Sequence, residues 1–366
     1  MLAGFSTSQA SEPLIATEQQ KIRVRTVASG LEHPWSVAFL PDGRFLVSER
    51  PGRLRVISAE GVVSAAPVAG LPRVHSAGQG GLLDIVLHPK FAQNQWVYLS
   101  YSGGDASGAS TEVARGRWVS DSQGGRLENL EVIYRQHPRS KAGVHFGSRL
   151  VFDRAGYLYI TQGDRGDKDR AQRLDDLAGK TVRLNDDGSI PSGNPFRSTT
   201  GAQPEIFSLG NRSMQGAALH PKTGELWTHE HGPQGGDEIN VIRPGRNYGW
   251  PVITYGVNYG IGTKIGVGTQ QAGMEQPLHQ WTPSIAPSGM AFYSGERYPA
   301  WQDNLFVGAL KYQMLVRLVL NGEKVVHEER LLQNQFGRIR DVRQGPDCLL
   351  YLLTDADNGA LLRLAP

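Results

Sequence analysis

One cysteine, Cys348, stands in 366 residues. It excludes an intrachain disulfide and any zinc or iron–sulfur site built on cysteines. No run of about 18 apolar residues occurs, so no transmembrane helix is expected. Residues 1–20 carry neither a basic start nor an apolar stretch and do not read as a signal peptide. They are expected to form a flexible tail ahead of a single domain over residues 21–366. Excess charge is missing too: Lys+Arg 38 against Asp+Glu 35 leaves +3, too balanced to argue for nucleic acid. The chain has no G-x-G-x-x-G after a strand, no Walker A loop, no G-x-S-x-G elbow and no HExxH. Nucleotide cofactors, an α/β-hydrolase nucleophile and a zincin centre therefore find no support.

Turns and short apolar runs are abundant. Glycine accounts for 45 residues and proline for 21, scattered along the chain, which reads as many short strands. A phrase recurs in which a Pro- or Asp-led turn precedes apolar residues: Pro41-Asp-Gly43-Arg-Phe-Leu-Val, Pro89 to Trp96-Val-Tyr-Leu, Asp153-Arg-Ala-Gly156-Tyr-Leu-Tyr-Ile, Pro221-Lys-Thr-Gly224-Glu-Leu-Trp, Trp301-Gln-Asp-Asn-Leu-Phe-Val and Pro346-Asp-Cys348-Leu-Leu-Tyr-Leu. Copies recur every 45–80 residues or so, roughly the span of a propeller blade with insertions. Second strands often follow, as in 52–57, 237–242 and 359–364. Together these predict an all-β fold, a six-bladed β-propeller, with a β-sandwich as the competing architecture. The strand Ile22–Val27 is expected to pair with the last blade and close the ring.

The polar segments that interrupt the repeat are where function is expected. Arg338 and Arg340 lie two apart; on one strand they share a face, which is costly unless an anion answers them. They grip a polyanion with Lys311 and Arg212, or pair with carboxylates such as Asp341 and are solvated. His145 and Asp164 flank a predicted hairpin and could meet at one end of a blade. There the carboxylate would fix the imidazole tautomer and strengthen it as a base; a hydrogen-bonded structural histidine is the alternative. His229 and His231 share a face as a metal pair, without a third nitrogen or sulfur ligand in view. At Gly232-Pro233, two consecutive carbonyls could serve a hard cation such as calcium. Cys348 is expected inside a strand, in a structural role.

Several phrases, taken in order, carry a resemblance: His33-Pro-Trp-Ser-Val-Ala-Phe-Leu-Pro-Asp-Gly43, Gly78-Gln-Gly-Gly-Leu-Leu-Asp84, His145-Phe-Gly-Ser-Arg-Leu150, His231-Gly-Pro-Gln-Gly-Gly-Asp-Glu-Ile-Asn240, Asn247-Tyr-Gly-Trp-Pro251, Gly308-Ala-Leu-Lys311 and Arg338-Ile-Arg-Asp-Val342. From about residue 24 to 364 the chain resembles the soluble PQQ-dependent aldose sugar dehydrogenases, relatives of soluble quinoprotein glucose dehydrogenase. That family's fold is a six-bladed propeller. The resemblance implies oxidation of an aldose to its lactone, with PQQ and Ca²⁺ as cofactors. His145 would be the base and Asp164 its partner. Lys311, Arg338 and Arg340 would neutralise the PQQ carboxylates, and Gln79 and Arg212 would meet its polar edge. Ser213 stands where glucose dehydrogenase has Asn. The carbonyls of Gly232 and Pro233 would hold one calcium, and Glu238 with the Tyr248 carbonyl a structural one. The resemblance further implies an external electron acceptor, a periplasmic or outer-membrane-associated setting, and a monomer or homodimer. Loops around 103–112 and 258–275 are expected to face the substrate. A calcium-dependent propeller hydrolase or lactonase, and a non-catalytic binding propeller, remain as alternatives.

Overall fold

In the computed structural model, which describes residues 14–121 and 124–366, each copy of the recurring phrase becomes the second strand of an antiparallel meander. These second strands are Phe45–Glu49, Trp96–Asp105, Leu158–Gln162, Leu226–Glu230, Leu305–Ala309 and Leu350–Thr354. Six sheets result, of three, four, four, four, four and five strands in chain order, arranged as a β-propeller. The innermost strands are Pro34–Phe39, Leu82–Leu87, Gly147–Phe152, Met214–Leu219, Pro287–Phe292 and Ile339–Gln344. Each touches its neighbours in turn, and the last touches the first.

Strand Lys21–Leu31 pairs antiparallel with Gly359–Ala365 in the sixth sheet, so the chain's two ends close the ring, as the sequence predicts. Residues 1–13 of the expected tail lie outside the described residues; Leu14–Ala16 form a fifth strand on that sheet, paired with Lys21–Arg23. The expected placement of Cys348 in a strand is corrected. It sits in the turn before Leu350–Thr354 with φ 59°, the left-handed position that glycine fills in the other complete copies of the turn. The segment 103–112 is likewise no loop: it is the paired tip of the hairpin Trp96–Asp105 and Gly108–Val119.

Apolar residues lie at the six seams between blades. One cluster, for example, joins Trp227, Ile239 and Val241 of the fourth blade to Met290, Leu305 and Val307 of the fifth. Another closes the ring between Leu353 and Leu361 of the sixth and Val37 and Val47 of the first. Because both faces of a blade are covered, the second strands are buried throughout most of their length and lose the polar–apolar alternation of a one-sided sheet. At the axis the packing is ionic. Arg149 meets Asp341 at 2.8 Å, and Arg343 meets Asp84 at 2.7 Å and Asp341 at 3.0 Å. Arg149 also donates to the carbonyls of Gln215 and Arg340, tying the third, fourth and sixth blades beneath one end of the channel.

All six innermost strands begin with a register irregularity, between Pro34/Ser36, Leu82/Ile85, Gly147/Leu150, Met214/Gly216, Pro287/Met290 and Ile339/Asp341. Bulges of this kind bend a strand and re-aim its side chains. They lie at the end of the propeller where the site is built.

Candidate active site

Two kinds of segment meet at this end: those entering an innermost strand and those leaving a second strand. The first kind supplies His33, Gln79, His145, Arg212, Ser213 and Arg338; the second supplies Arg50, Asp164, His231, Lys311 and Asp355. All but Asp164 line one cavity of about 520 Å³ over the axis, together with Arg340 and Gln215.

His145 has its Nδ1 2.6 Å from Asp164 Oδ1. The carboxylate side chain is 2% exposed and the imidazole 17%. With Nδ1 engaged, Nε2 is the nitrogen left for the cavity that the ring lines. The backbone makes this contact close: a Cβ at Gly163 would fall 2.1 Å from the His145 carbonyl oxygen, so only glycine lets the two segments approach. Gln79 accepts from the His145 backbone N–H through Oε1 at 2.8 Å, which leaves its NH₂ for an acceptor elsewhere. Asp164 Oδ2 accepts from the Trp250 indole N–H at 2.8 Å.

The cations are unevenly answered. Arg338 and Arg340 do not sit side by side on a regular strand as expected. Arg338 precedes Ile339–Gln344, and the irregularity after Ile339 breaks the alternation. Nor is Asp341 their partner: both reach Asp355, Arg340 at 2.5 Å and Arg338 at 3.4 Å. Burial alone would raise the Asp355 carboxyl, but Arg340 and a 2.8 Å hydrogen bond to His33 outweigh it and hold it far below its ordinary value. Arg340 Nε is buried without a partner among the described residues. Lys311 is exposed at the cavity, and neither it nor Arg212 forms an ion pair with a carboxylate among the described residues. Five cationic side chains, Arg50, Arg212, Lys311, Arg338 and Arg340, thus share the cavity wall with one carboxylate, Asp355. Ser213 lies beside them, almost fully buried.

Of the expected calcium ligands, Gly232, Glu238 and Tyr248 border one small space and Pro233 a neighbouring cavity. The Gly232 carbonyl already accepts from Arg212 Nη1 at 2.8 Å, and the same nitrogen lies 3.2 Å from the His231 carbonyl. A cation therefore occupies the approach to Gly232, while Pro233 faces the neighbouring cavity. Glu238 and Tyr248 line a small space of about 10 Å³, room for one ion or water, together with Glu230, Arg212, Gly232 and Trp250. Glu230 lies directly opposite Glu238 on paired strands. Burial pushes Glu230 up to about 7, and burial and the Glu230 charge raise Glu238 well above the usual carboxylate range. Asn211 and the Arg212 backbone N–H both donate to Glu230.

The expected histidine metal pair is not formed. His229 is buried within the fourth blade, and among the described residues its ring nitrogens have no hydrogen-bond partner. His231 donates Nε2–H to the Pro287 carbonyl at 2.5 Å. Among the described residues no three His, Cys, Asp or Glu side chains converge for a metal.

A second cavity, of about 420 Å³, opens beside the first and shares His145, Arg212 and Tyr259 with it. Asp167, Lys168, Asp169, Trp250 and Asn258 line it as well. Tyr259, 66% exposed, stands at the boundary. Thus part of the 258–275 segment does border the His145–Asp164 pair.

Sequence reasoning missed His33, Arg50, Gln215, Glu230, Trp250 and Asp355. Their signal is phase within the repeat. His33 precedes an innermost strand as His145 does; Arg50 and Asp355 follow second strands as Asp164 does.

The chain matches the glucose/sorbosone dehydrogenase family over residues 31–363. It is 47% identical to the aldose sugar dehydrogenase YliI of Escherichia coli over 349 residues, 94% of this chain and 93% of that one. The crystal structure of the soluble aldose sugar dehydrogenase of E. coli in its apo form superposes with a TM-score of 0.90, at 46% identity, over 94% of this chain and 99% of that one. The PQQ-bound aldose sugar dehydrogenase of Streptomyces coelicolor superposes with a TM-score of 0.78, at 30% identity, over 95% of this chain and 100% of that one. With its six-bladed ring and a cavity in which a histidine–carboxylate pair faces a cationic wall, the chain belongs to the glucose/sorbosone dehydrogenase family and is a sugar dehydrogenase.

Proposed function

We propose that the chain oxidises aldoses at the anomeric carbon to lactones with PQQ as resident cofactor, and passes the electrons to an external acceptor. The observation that carries this reading is the charge imbalance of the main cavity, where five cations and a single carboxylate surround the open edge of His145. Arg212 and Arg340 are buried and Arg50 half-buried, an arrangement that is unfavourable unless anions answer it, and planar guanidinium groups suit carboxylates. The unpartnered Arg340 Nε supports the fit.

Lys311, Arg338 and Arg340 would face the cofactor's carboxylates, with Gln79, Arg212 and Ser213 on its polar edge. When bound, PQQ supplies an ortho-quinone that takes the hydride from the anomeric carbon. His145 Nε2 takes the proton of the anomeric hydroxyl, and Asp164, 2.6 Å from Nδ1, orients the ring and stabilises the imidazolium. Proton and hydride together account for the two-electron oxidation of the sugar. The second cavity would admit the aldose past Tyr259.

Calcium is proposed at one place only. Glu230, Glu238 and the Tyr248 carbonyl would supply oxygen donors around a space of ionic size, and a divalent cation would add to Arg212, which also lines it, in offsetting the buried Glu230 and the half-buried Glu238 opposite. At Gly232 and Pro233, Arg212 takes one lone pair of the Gly232 carbonyl, and no calcium step is assigned there.

Titration of the apoprotein with PQQ, followed by dye reduction with an aldose panel, tests the reading. Expected is saturable binding and turnover that requires PQQ, with both lost or weakened in Lys311→Ala and Arg340→Ala. PQQ affinity equal to wild type in both variants would remove the assignment.

A further inference from the structure

Asp164 is held from three sides besides the imidazole. Its Oδ1 also accepts from the Gly166 backbone N–H at 2.8 Å, and its own N–H donates to the Arg212 carbonyl at 2.8 Å. The third contact is the unusual one. The Trp250 indole N–H reaches Oδ2 at 2.8 Å from another blade, across a buried contact. Trp250 is itself fixed at both ends. Its backbone N–H donates to the Gly210 carbonyl at 2.9 Å, and its carbonyl accepts from Gln172 Nε2 at 2.7 Å. Gln172 is locked in turn by a reciprocal amide pair with Asn247 at 3.0 and 2.7 Å. The indole is thus a rigid donor whose position is set by the loop that follows strand Asp237–Ile242.

A carboxylate held through one oxygen can turn about its last torsion and exchange that oxygen. With a donor fixed on Oδ2, the plane is set and Oδ1 stays directed at His145 Nδ1. We propose that Trp250 is a positioning residue of the dehydrogenase: its indole N–H locks the Asp164 carboxylate, and through it the tautomer and aim of His145. The inference rests on the reading of His145 as the base. Trp250 also lines the second cavity, so direct contact with the sugar is the competing role that the test must separate.

The test compares PQQ-loaded wild type, Trp250→Phe, Asp164→Asn and the double variant by stopped-flow reduction of bound PQQ with D-glucose. Phenylalanine keeps an aromatic face toward the Arg212 guanidinium, whose central carbon lies 5.4 Å from the Trp250 ring, and removes the donor along with one ring of the indole. A hydrogen bond to a charged group is worth enough to predict a loss of about 10–100-fold in the rate at saturating glucose. Half-saturation by glucose and the PQQ dissociation constant stay within about twofold of wild type, because neither contact is changed. In the Asp164→Asn background, Trp250→Phe adds less than about twofold, since the group it acts through is gone. An equal loss in both backgrounds, a change confined to half-saturation, or no loss at all each overturns the proposal. If the phenylalanine variant does not fold, β-(3-benzothienyl)alanine at position 250 keeps the bicyclic shape without the N–H and is read by the same criteria. Wild-type rates in His145→Ala and Asp164→Asn would instead remove the base reading itself, an outcome visible in those single variants without reference to Trp250.

Discussion

Groups from three blades converge on His145: Asp164 from its own, Gln79 from the preceding one, and Trp250, through Asp164, from the following one. In the proposed role of base, an imidazole held this way would be sensitive to single atoms. His145→Ala is expected to lower turnover about 10²–10⁴-fold, the usual range for a general base, while PQQ binding measured by titration stays near wild type. Full activity in that variant would contradict the assignment. Asp355 has the opposite character. As the one carboxylate among the cations, it orients Arg340 and Arg338 but also opposes an incoming anion. Histidine 145 and Asp164 were legible in the sequence because each borders a recognisable strand. Trp250 was not, because its partner Asp164 lies 86 residues away on the neighbouring blade. Asp355 was not either: Arg340 is only 15 residues away, but Asp355 borders no cationic motif of its own, and its other partner, His33, is 322 residues away and meets it only where the ring closes.

The elements matter through their edges. Each second strand could be read from its turn and its apolar run, and all six copies of the phrase mark one. The innermost strands were harder to read, since each begins with an irregularity that erases the two-residue period used to recognise a strand; of Gly147–Phe152 only the regular end, from residue 150, stood out. Those same irregularities placed Arg338 and Arg340 differently from a regular strand. Strands Leu226–Glu230 and Asp237–Ile242 provide a test at this scale, because they set Glu230 opposite Glu238. Burial raises the Glu230 carboxyl from 4.5 to about 7. A carboxyl raised on folding costs stability as pH rises from its unfolded value towards its folded one. The calcium-free protein should therefore lose stability between about pH 4.5 and 7. Added Ca²⁺ should raise its Tm by an increment that grows over the same interval. Glu238→Gln should shrink both effects; an increment independent of pH and of Glu238 would place calcium elsewhere.

For the molecule as a whole, stability is distributed over six apolar seams and one ionic hub at the axis. The hub joins blades that are distant in sequence: Arg149 of the third meets Asp341 of the sixth, and Arg343 of the sixth meets Asp84 of the second. Removing one partner of a buried pair leaves an unanswered charge. Asp341→Ala should destabilise the fold by about 3–5 kcal/mol in denaturant unfolding, far more than loss of an exposed pair such as Lys168–Asp169. Ring closure makes a second demand. Deleting residues 20–28 removes most of the strand that pairs with Gly359–Ala365 and exposes the last blade's edge. The truncated chain should unfold at lower temperature or aggregate; an unchanged Tm would show that closure does not depend on the N-terminal strand. This strand swap was foreseeable from the sequence, because a six-copy repeat with a spare strand at its start has one obvious place to put it.

The most direct test of the account is a single-turnover experiment on apoprotein reconstituted with PQQ and mixed with an aldose. The account predicts stoichiometric reduction of bound PQQ and formation of the lactone, fast in wild type and slowed about 10²–10⁴-fold in His145→Ala with PQQ still bound. Lactone formed without PQQ, or PQQ reduced equally fast without the imidazole, would contradict it.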